Sequence, residues 1–103
     1  MKKVINGKLY NTETAEQLGD YWNGLGSSNF NNCSEILFKT KKGNYFLYGK
    51  GGAATKYAEC SGEYASEGDD ILEYTPKDAM EWLSEHDFPN VVEKEFPDLI
   101  EEA

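Results

Sequence analysis

The residues best suited to chemistry lie in residues 45–57, YFLYGKGGAATKY. An aromatic run delivers Gly49, Lys50, Gly51 and Gly52, and Lys56 follows. Glycines and a lysine after a strand are the raw material of a phosphate cradle. A P-loop, however, closes on Gly-Lys-Ser/Thr at a helix start. Here Gly51 follows Lys50, and no hydroxyl is placed to hold magnesium. The dinucleotide pattern fails too, because Ala54 fills its third glycine position and the pattern needs a parallel βαβ unit. The stretch reads instead as the exit from a hairpin strand, where glycines allow positive φ or close backbone approach. Lys50 and Lys56 are then expected to partner the chain's own carboxylates.

Other reactive residues are sparse. His86 is the only histidine. It falls at the end of a helix pattern beside Asp87, where a cap or packed residue is expected more than a base. A nucleophile pair would have to join it to Cys33 or Cys60. A metal set lacks CxxC or HxxxH spacing. The acids at 67, 69, 70 and 73 lack the alternating ligands and central glycine of a calcium loop. No catalytic residue, metal or cofactor is therefore assigned. Met1-Lys2-Lys3 precedes only two apolar residues, which is no signal segment, and no run reaches membrane-spanning length. The reading is a cytoplasmic protein with reduced thiols and no membrane partner.

Charge is the stronger signal. Residues 1–56 carry eight Lys and four acids, a net of +4. Residues 57–103 carry two Lys and fifteen acids, a net of −13, and the two halves sum to −9. Phosphates would be repelled by the acidic half, so direct nucleic-acid binding there is disfavoured and a partner with a basic surface is favoured. There is no Arg, so no bidentate fork is present for phosphate or carboxylate. The candidate partner-binding residues are Glu63, Glu67, Asp69, Asp70, Glu73, Asp78, Glu81 and Glu85, with Tyr64 and Tyr74 as aromatic anchors among them. Such a surface can act as a decoy for nucleic acid, gaining electrostatic steering without catalysis. The competing readings are a merely solubilising acidic face and a regulatory or structural domain that self-associates through a Tyr-rich sheet.

The elements that must position these residues form one α+β domain over residues 1–103: an antiparallel sheet of four to five short strands, a central hairpin, and a helical cover. Asn6-Gly7 predicts a tight hairpin. Asn11 or Thr12 is expected to cap, and Gly19 to end, a short helix or helical turn, before a short strand in DYWNG and a polar loop in LGSSNFNNCS. EILFKTKKGNYFLYGK predicts the central hairpin, with Ile36, Phe38 and Thr40 on one face and Leu37 and Lys39 on the other. Both faces are apolar, so both should be covered. A short helix is expected around residues 54–60 and a short strand in ILEYT. TPKDAMEWLSEHD predicts a helix with Thr75 as cap, Pro76 in the first turn and a core stripe of Ala79, Trp82, Leu83 and His86. Pro89 and Pro97 break the remainder into two short helical pieces, with Val91, Val92, Phe96, Leu99 and Ile100 offered for packing.

Three stretches, INGKLYNTETAEQLG, LFKTKKGNYFLYGKGGAATKYAE and TPKDAMEWLSEHD, together resemble small proteins carried by phages, prophages and plasmids of Gram-positive bacteria. Some anti-CRISPR proteins, inhibitors of RNA-guided nucleases, look similar in this pattern. The matching motifs are turns, a hairpin and a cap, so the resemblance implies a shared fold and carries over no catalytic residue. What it implies about function is a non-enzymatic inhibitor. Its acidic surface would occupy the basic nucleic-acid groove of a host protein, with an RNA-guided CRISPR nuclease as the candidate partner.

Overall fold

The computed structural model describes residues 1–103. Eight strands precede two helices: β1 (Lys2–Ile5), β2 (Lys8–Asn11), β3 (Glu16–Trp22), β4 (Cys33–Lys39), β5 (Tyr45–Gly51), β6 (Glu59–Ser61), β7 (Tyr64–Ser66), β8 (Gly68–Tyr74), α1 (Pro76–Glu85) and α2 (Pro89–Glu95). The main sheet is antiparallel in the order β3-β4-β5-β8, and β1-β2 and β6-β7 form two separate hairpins. No helix is long and apolar enough to cross a membrane.

The central hairpin β4-β5 turns at Gly43, whose φ of 89° needs a residue without Cβ. Its alternation separates two cores, as expected from the sequence. Leu37, Tyr45 and Leu47 meet Ala79, Trp82 and Leu83 of α1, with Val92 and Phe96 beside them. On the opposite face Phe38, Phe46 and Ile71 pack under Tyr10. The Phe38 and Phe46 rings stack at 5.1 Å, and Tyr10 meets Phe46 edge-on at 5.3 Å. Each such fully buried side chain contributes about 1.5–3 kcal/mol. One face is thus covered by helices and the other by the β1-β2 hairpin, which turns at Asn6 (φ 52°) and Gly7 (φ 78°).

The start of α1 is fixed by its own sequence. The Asp78 N–H donates to Thr75 Oγ1, and the Thr75 N–H donates to Asp78 Oδ2, both at 3.0 Å. Pro76 occupies the first turn, where its missing N–H costs nothing. Thr75→Ala removes one half of this reciprocal cap. It is expected to lower stability by about 1 kcal/mol, read as a fall in the urea midpoint at unchanged slope. His86 caps the end of α1 and packs between the tilted rings of Tyr21 (4.3 Å) and Trp82 (4.5 Å), a packed cap as expected.

Three expectations are corrected. Residues 11–19 form no helix; of the expected helix or helical turn only a single turn at residues 11–15 is present, and Gly19 does not end it. Asn11 instead organises a turn, accepting from the Glu13 N–H through its side chain and from Thr14 and Ala15 through its carbonyl. The chain then runs straight into β3, and Gly19 lies inside that strand beside a register shift. Tertiary pairing with β4 overrides the local helix signal. The helix expected around residues 54–60 is absent: two tight turns lead to β6, because Gly51 and Gly52 dock the segment against the loop before β4. Finally, the piece after Pro97 is a single turn, Leu99 N–H to Phe96 O, and Leu99 and Ile100 stay 51% and 40% exposed.

Candidate functional site

The ten candidate residues fall on three elements. Glu63 and Tyr64 sit at the tip of the β6-β7 hairpin, which turns at Gly62 (φ 63°), and Glu67 follows it. Asp69, Asp70, Glu73 and Tyr74 lie on β8, an edge strand of the sheet. Asp78, Glu81 and Glu85 lie on α1, the last two on its exposed face. Where β8 meets α1, Glu73, Tyr74, Asp78, Glu81 and Glu85 come together around a groove of about 380 Å³ floored by Leu72 and Trp82. Glu67 and Asp69 line a second groove of about 350 Å³ with Lys50 and Glu59. Glu63 and Tyr64 belong to neither.

Partners divide the acids into two kinds. Lys3 Nζ bonds Asp70 Oδ1 at 2.6 Å, and the same oxygen accepts from the Ile71 N–H at 2.9 Å. Tyr48 donates to Asp69 at 3.0 Å. Glu73 accepts from Tyr10 Oη and, at 3.5 Å, from Asn6 Nδ2. Asp78 belongs to the helix cap, and the Thr75 N–H and hydroxyl hold its carboxyl below the usual range. Asp70 and Glu73 therefore fasten the β1-β2 hairpin across the sheet. Glu63, Glu67, Glu81 and Glu85 make no hydrogen bond or ion pair within the chain and are exposed. Tyr64 is 81% exposed, whereas Tyr74 is half-buried. Burial first, and then the charges of Glu35, Asp78 and Glu85, push the Tyr74 hydroxyl up to about 12. Burial and the bond to Glu73 likewise push Tyr10 up to about 12. Both phenols stay protonated at neutral pH, and that of Tyr10 donates to Glu73.

A further titratable site was not legible as such in the sequence. Glu35, on β4, is buried. Trp82 Nε1 donates to its Oε1 at 3.1 Å, Tyr57 Oη donates to its Oε2, and Lys56 Nζ lies 3.1 Å from Oε2. Burial alone would disfavour the charge, but the bonds from Tyr57, Trp82 and Lys56 outweigh it and hold the carboxyl below its ordinary value. Burial and then Glu35 push the Tyr57 hydroxyl strongly upward. The Cys33 thiol is also raised, by burial and by the Glu35 charge, which makes it a poor nucleophile. The pairing of Lys56 with a carboxylate of its own chain agrees with the sequence reading; the partner lies in the basic half.

The glycine stretch owes its composition to this site. Gly49 pairs with Glu35 across the ladder, and a Cβ on it would lie within 3.0 Å of Tyr57 Cε1, Cζ and Oη. Tyr57 therefore lies directly on the Gly49 backbone to reach Glu35. At Gly51 a Cβ would meet Thr55 and Asn32 O, and at Gly52 it would meet the carbonyls of Asn29 and Phe30. The glycines serve close backbone approach, one of the two roles expected of them.

The polar loop of residues 23–32 that docks there is ordered by its asparagines. Asn23 Oδ1 accepts from the Leu25 and Cys33 N–H groups, and Asn23 Nδ2 donates to Asn31 O at 2.7 Å. Cys33 and Cys60 are free thiols, and no cluster of His, Cys, Asp and Glu has the geometry of a metal site. No protein-family model, curated protein or solved structure matches this chain.

Proposed function

We propose that the protein is a non-enzymatic inhibitor from a mobile element, which presents an acidic surface to the basic nucleic-acid groove of a host protein. An RNA-guided CRISPR nuclease is the partner that the sequence resemblance favours. The observation that carries this reading is the set Glu63, Glu67, Glu81 and Glu85, exposed and unpaired within the chain, with the exposed ring of Tyr64 next to Glu63 in sequence. Carboxylates already committed to the fold cannot supply binding energy without costing stability. These four can. Charge gives them speed of encounter, and Tyr64 supplies the desolvated contact that charge alone lacks. Tyr10, Tyr45 and Tyr57 are buried within the chain, while Tyr21, Tyr48, Tyr64 and Tyr74 stay at least partly accessible.

The test is a pull-down from host lysate at low and high salt, followed by a cleavage assay with the captured nuclease. Wild type is expected to retain a nucleic-acid-handling protein at low salt and lose it steeply at high salt. The Glu63/Glu67/Glu81/Glu85→Lys variant is expected to lose it at both while keeping its unfolding midpoint. If wild type and variant retain the same proteins, the acidic-surface reading is wrong.

A further inference from the structure

The basic half of the chain leaves a second feature unexplained. Lys8 of β2 and Lys41 and Lys42 of the β4-β5 turn converge on a groove of about 430 Å³, larger than the acidic groove on β8 and α1. Its wall holds Leu9, Tyr10, two threonines and Asn44, and no carboxylate. The chain's ion pairs engage Lys3, Lys39 and Lys56, so the groove's three lysines form no ion pair within a protein of net charge −9; Lys8 also lines an adjoining groove that holds Glu73. Leu9 is 58% exposed, and beside it Val4, its cross-strand partner, is 66% exposed. The groove is therefore cationic with an apolar rim.

Residues 98–103, DLIEEA, have the complementary character. Leu99 and Ile100 are left exposed by the chain's own core, and Asp98, Glu101 and Glu102 have no ion pair. The segment also starts at the end of the sheet that carries the groove, on the helix-covered face. Phe96 packs on Tyr45 at 5.2 Å, and Glu95 pairs with Lys39 at 2.8 Å. Lys39 and Tyr45 are the cross-strand pair that flanks the turn carrying Lys41 and Lys42. Donor and acceptor thus lie at one end of the sheet. Six extended residues span up to about 20 Å.

We propose that two copies of this chain meet at that end of the sheet and exchange residues 98–103. Each segment lies in the other copy's groove, with Leu99 and Ile100 against Leu9 and Val4, and Asp98, Glu101 and Glu102 against Lys8, Lys41 and Lys42. A reciprocal exchange about a two-fold axis closes on itself, so it yields a dimer and no filament. A long polyanion is a poorer occupant, since the net charge of −9 repels it beyond the groove. The proposal uses none of the four free acids of the inhibitory surface and stands or falls apart from it.

The test is sedimentation equilibrium of the full chain over a wide concentration range. Wild type is expected to be a dimer that dissociates on dilution. The Lys8/Lys41/Lys42→Glu variant and the Asp98/Glu101/Glu102→Lys variant are each expected to be monomeric, with wild-type far-UV spectra and the unfolding midpoint of wild type diluted to monomer. Mixed in equal amounts they are expected to regain the dimer as a heterodimer, with one native contact and one in which both charges are reversed. Leu99→Asp/Ile100→Asp, which leaves the lysines intact, is expected to weaken the dimer at least tenfold. A wild type that is monomeric at every concentration overturns the proposal. So does a dimer unaffected by the charge-swapped variants. A monomer that instead shifts a labelled oligonucleotide through Lys8, Lys41 and Lys42 also overturns it and assigns the groove to nucleic acid.

Discussion

Glu35→Leu is expected to destabilise the fold by about 2–5 kcal/mol, measured as a fall in the urea midpoint. The leucine keeps the volume apolar but strands two buried donors. Tyr57 and Trp82 are each only 5% exposed, and both aim at the lost carboxylate. An orphaned buried donor costs about 1–3 kcal/mol. Lys56 adds little to this sum, because its side chain is 60% exposed and finds water instead. Against a total stability of about 5–15 kcal/mol, such a loss leaves a marginal protein. Glu35→Gln retains two acceptor lone pairs and is expected to cost less.

The pH dependence separates charge from shape. The folded-state value of Glu35 is lowered, so its stabilising effect is fully present above the unfolded carboxyl value of about 4.3 and is lost as pH falls through the folded value. Between those two values wild type is expected to lose stability with falling pH faster than Glu35→Gln. Equal slopes would show that folding does not lower the Glu35 carboxyl value.

Gly49→Ala is the second large effect, and it acts on the same cluster from below. The new methyl falls under 3.0 Å from three atoms of Tyr57. Tyr57 is rigid at that point, being buried and tied to Glu35, so the ring must leave or the backbone must part. Overpacking of this severity is expected to cost about 3 kcal/mol or more. Gly49→Ala/Tyr57→Phe keeps the clash with the ring, and Gly49→Ala/Tyr57→Ala removes it. The cost of the glycine substitution is therefore expected to persist in the first background and largely vanish in the second. If it remains the same in both, the strain lies elsewhere.

The central hairpin, the alternation of its two faces, the capped α1 and its Ala79, Trp82 and Leu83 stripe were legible because each rests on a local period or a local hydrogen bond. Glu35 was not. Among Cys33, Ser34 and Ile36 it looks like any solvent-facing strand position, and its donors stand 21, 22 and 47 residues away. The signal that was present is the glycine opposite it: a small residue in the centre of an aromatic strand announces that something must lie on the backbone.

The acidic run was legible as charge but not as function. Nothing in the order of residues 63–85 separates Asp70 and Glu73, which fasten the N-terminal hairpin, from Glu81 and Glu85, which fasten nothing. The strand expected in DYWNG is the end of β3, and the first part of β3, from Glu16, was hidden for a third reason. Its apolar residues are interrupted by Gly19 and Asp20, and only pairing with β4 makes it extended.

The fastening of β1-β2 by side chains alone has a consequence for how the protein fails. That hairpin shares no ladder with the main sheet, and Tyr10 is its one fully buried residue. It can lift away as a small cooperative unit while the four central strands stay folded, at a cost set by Lys3–Asp70, Tyr10–Glu73 and one buried ring. What the lifted state uncovers is the stacked pair Phe38 and Phe46 with Ile71, a flat aromatic face open to intermolecular stacking. Shelf life in concentrated solution is then governed by this partial opening and not by the global unfolding midpoint.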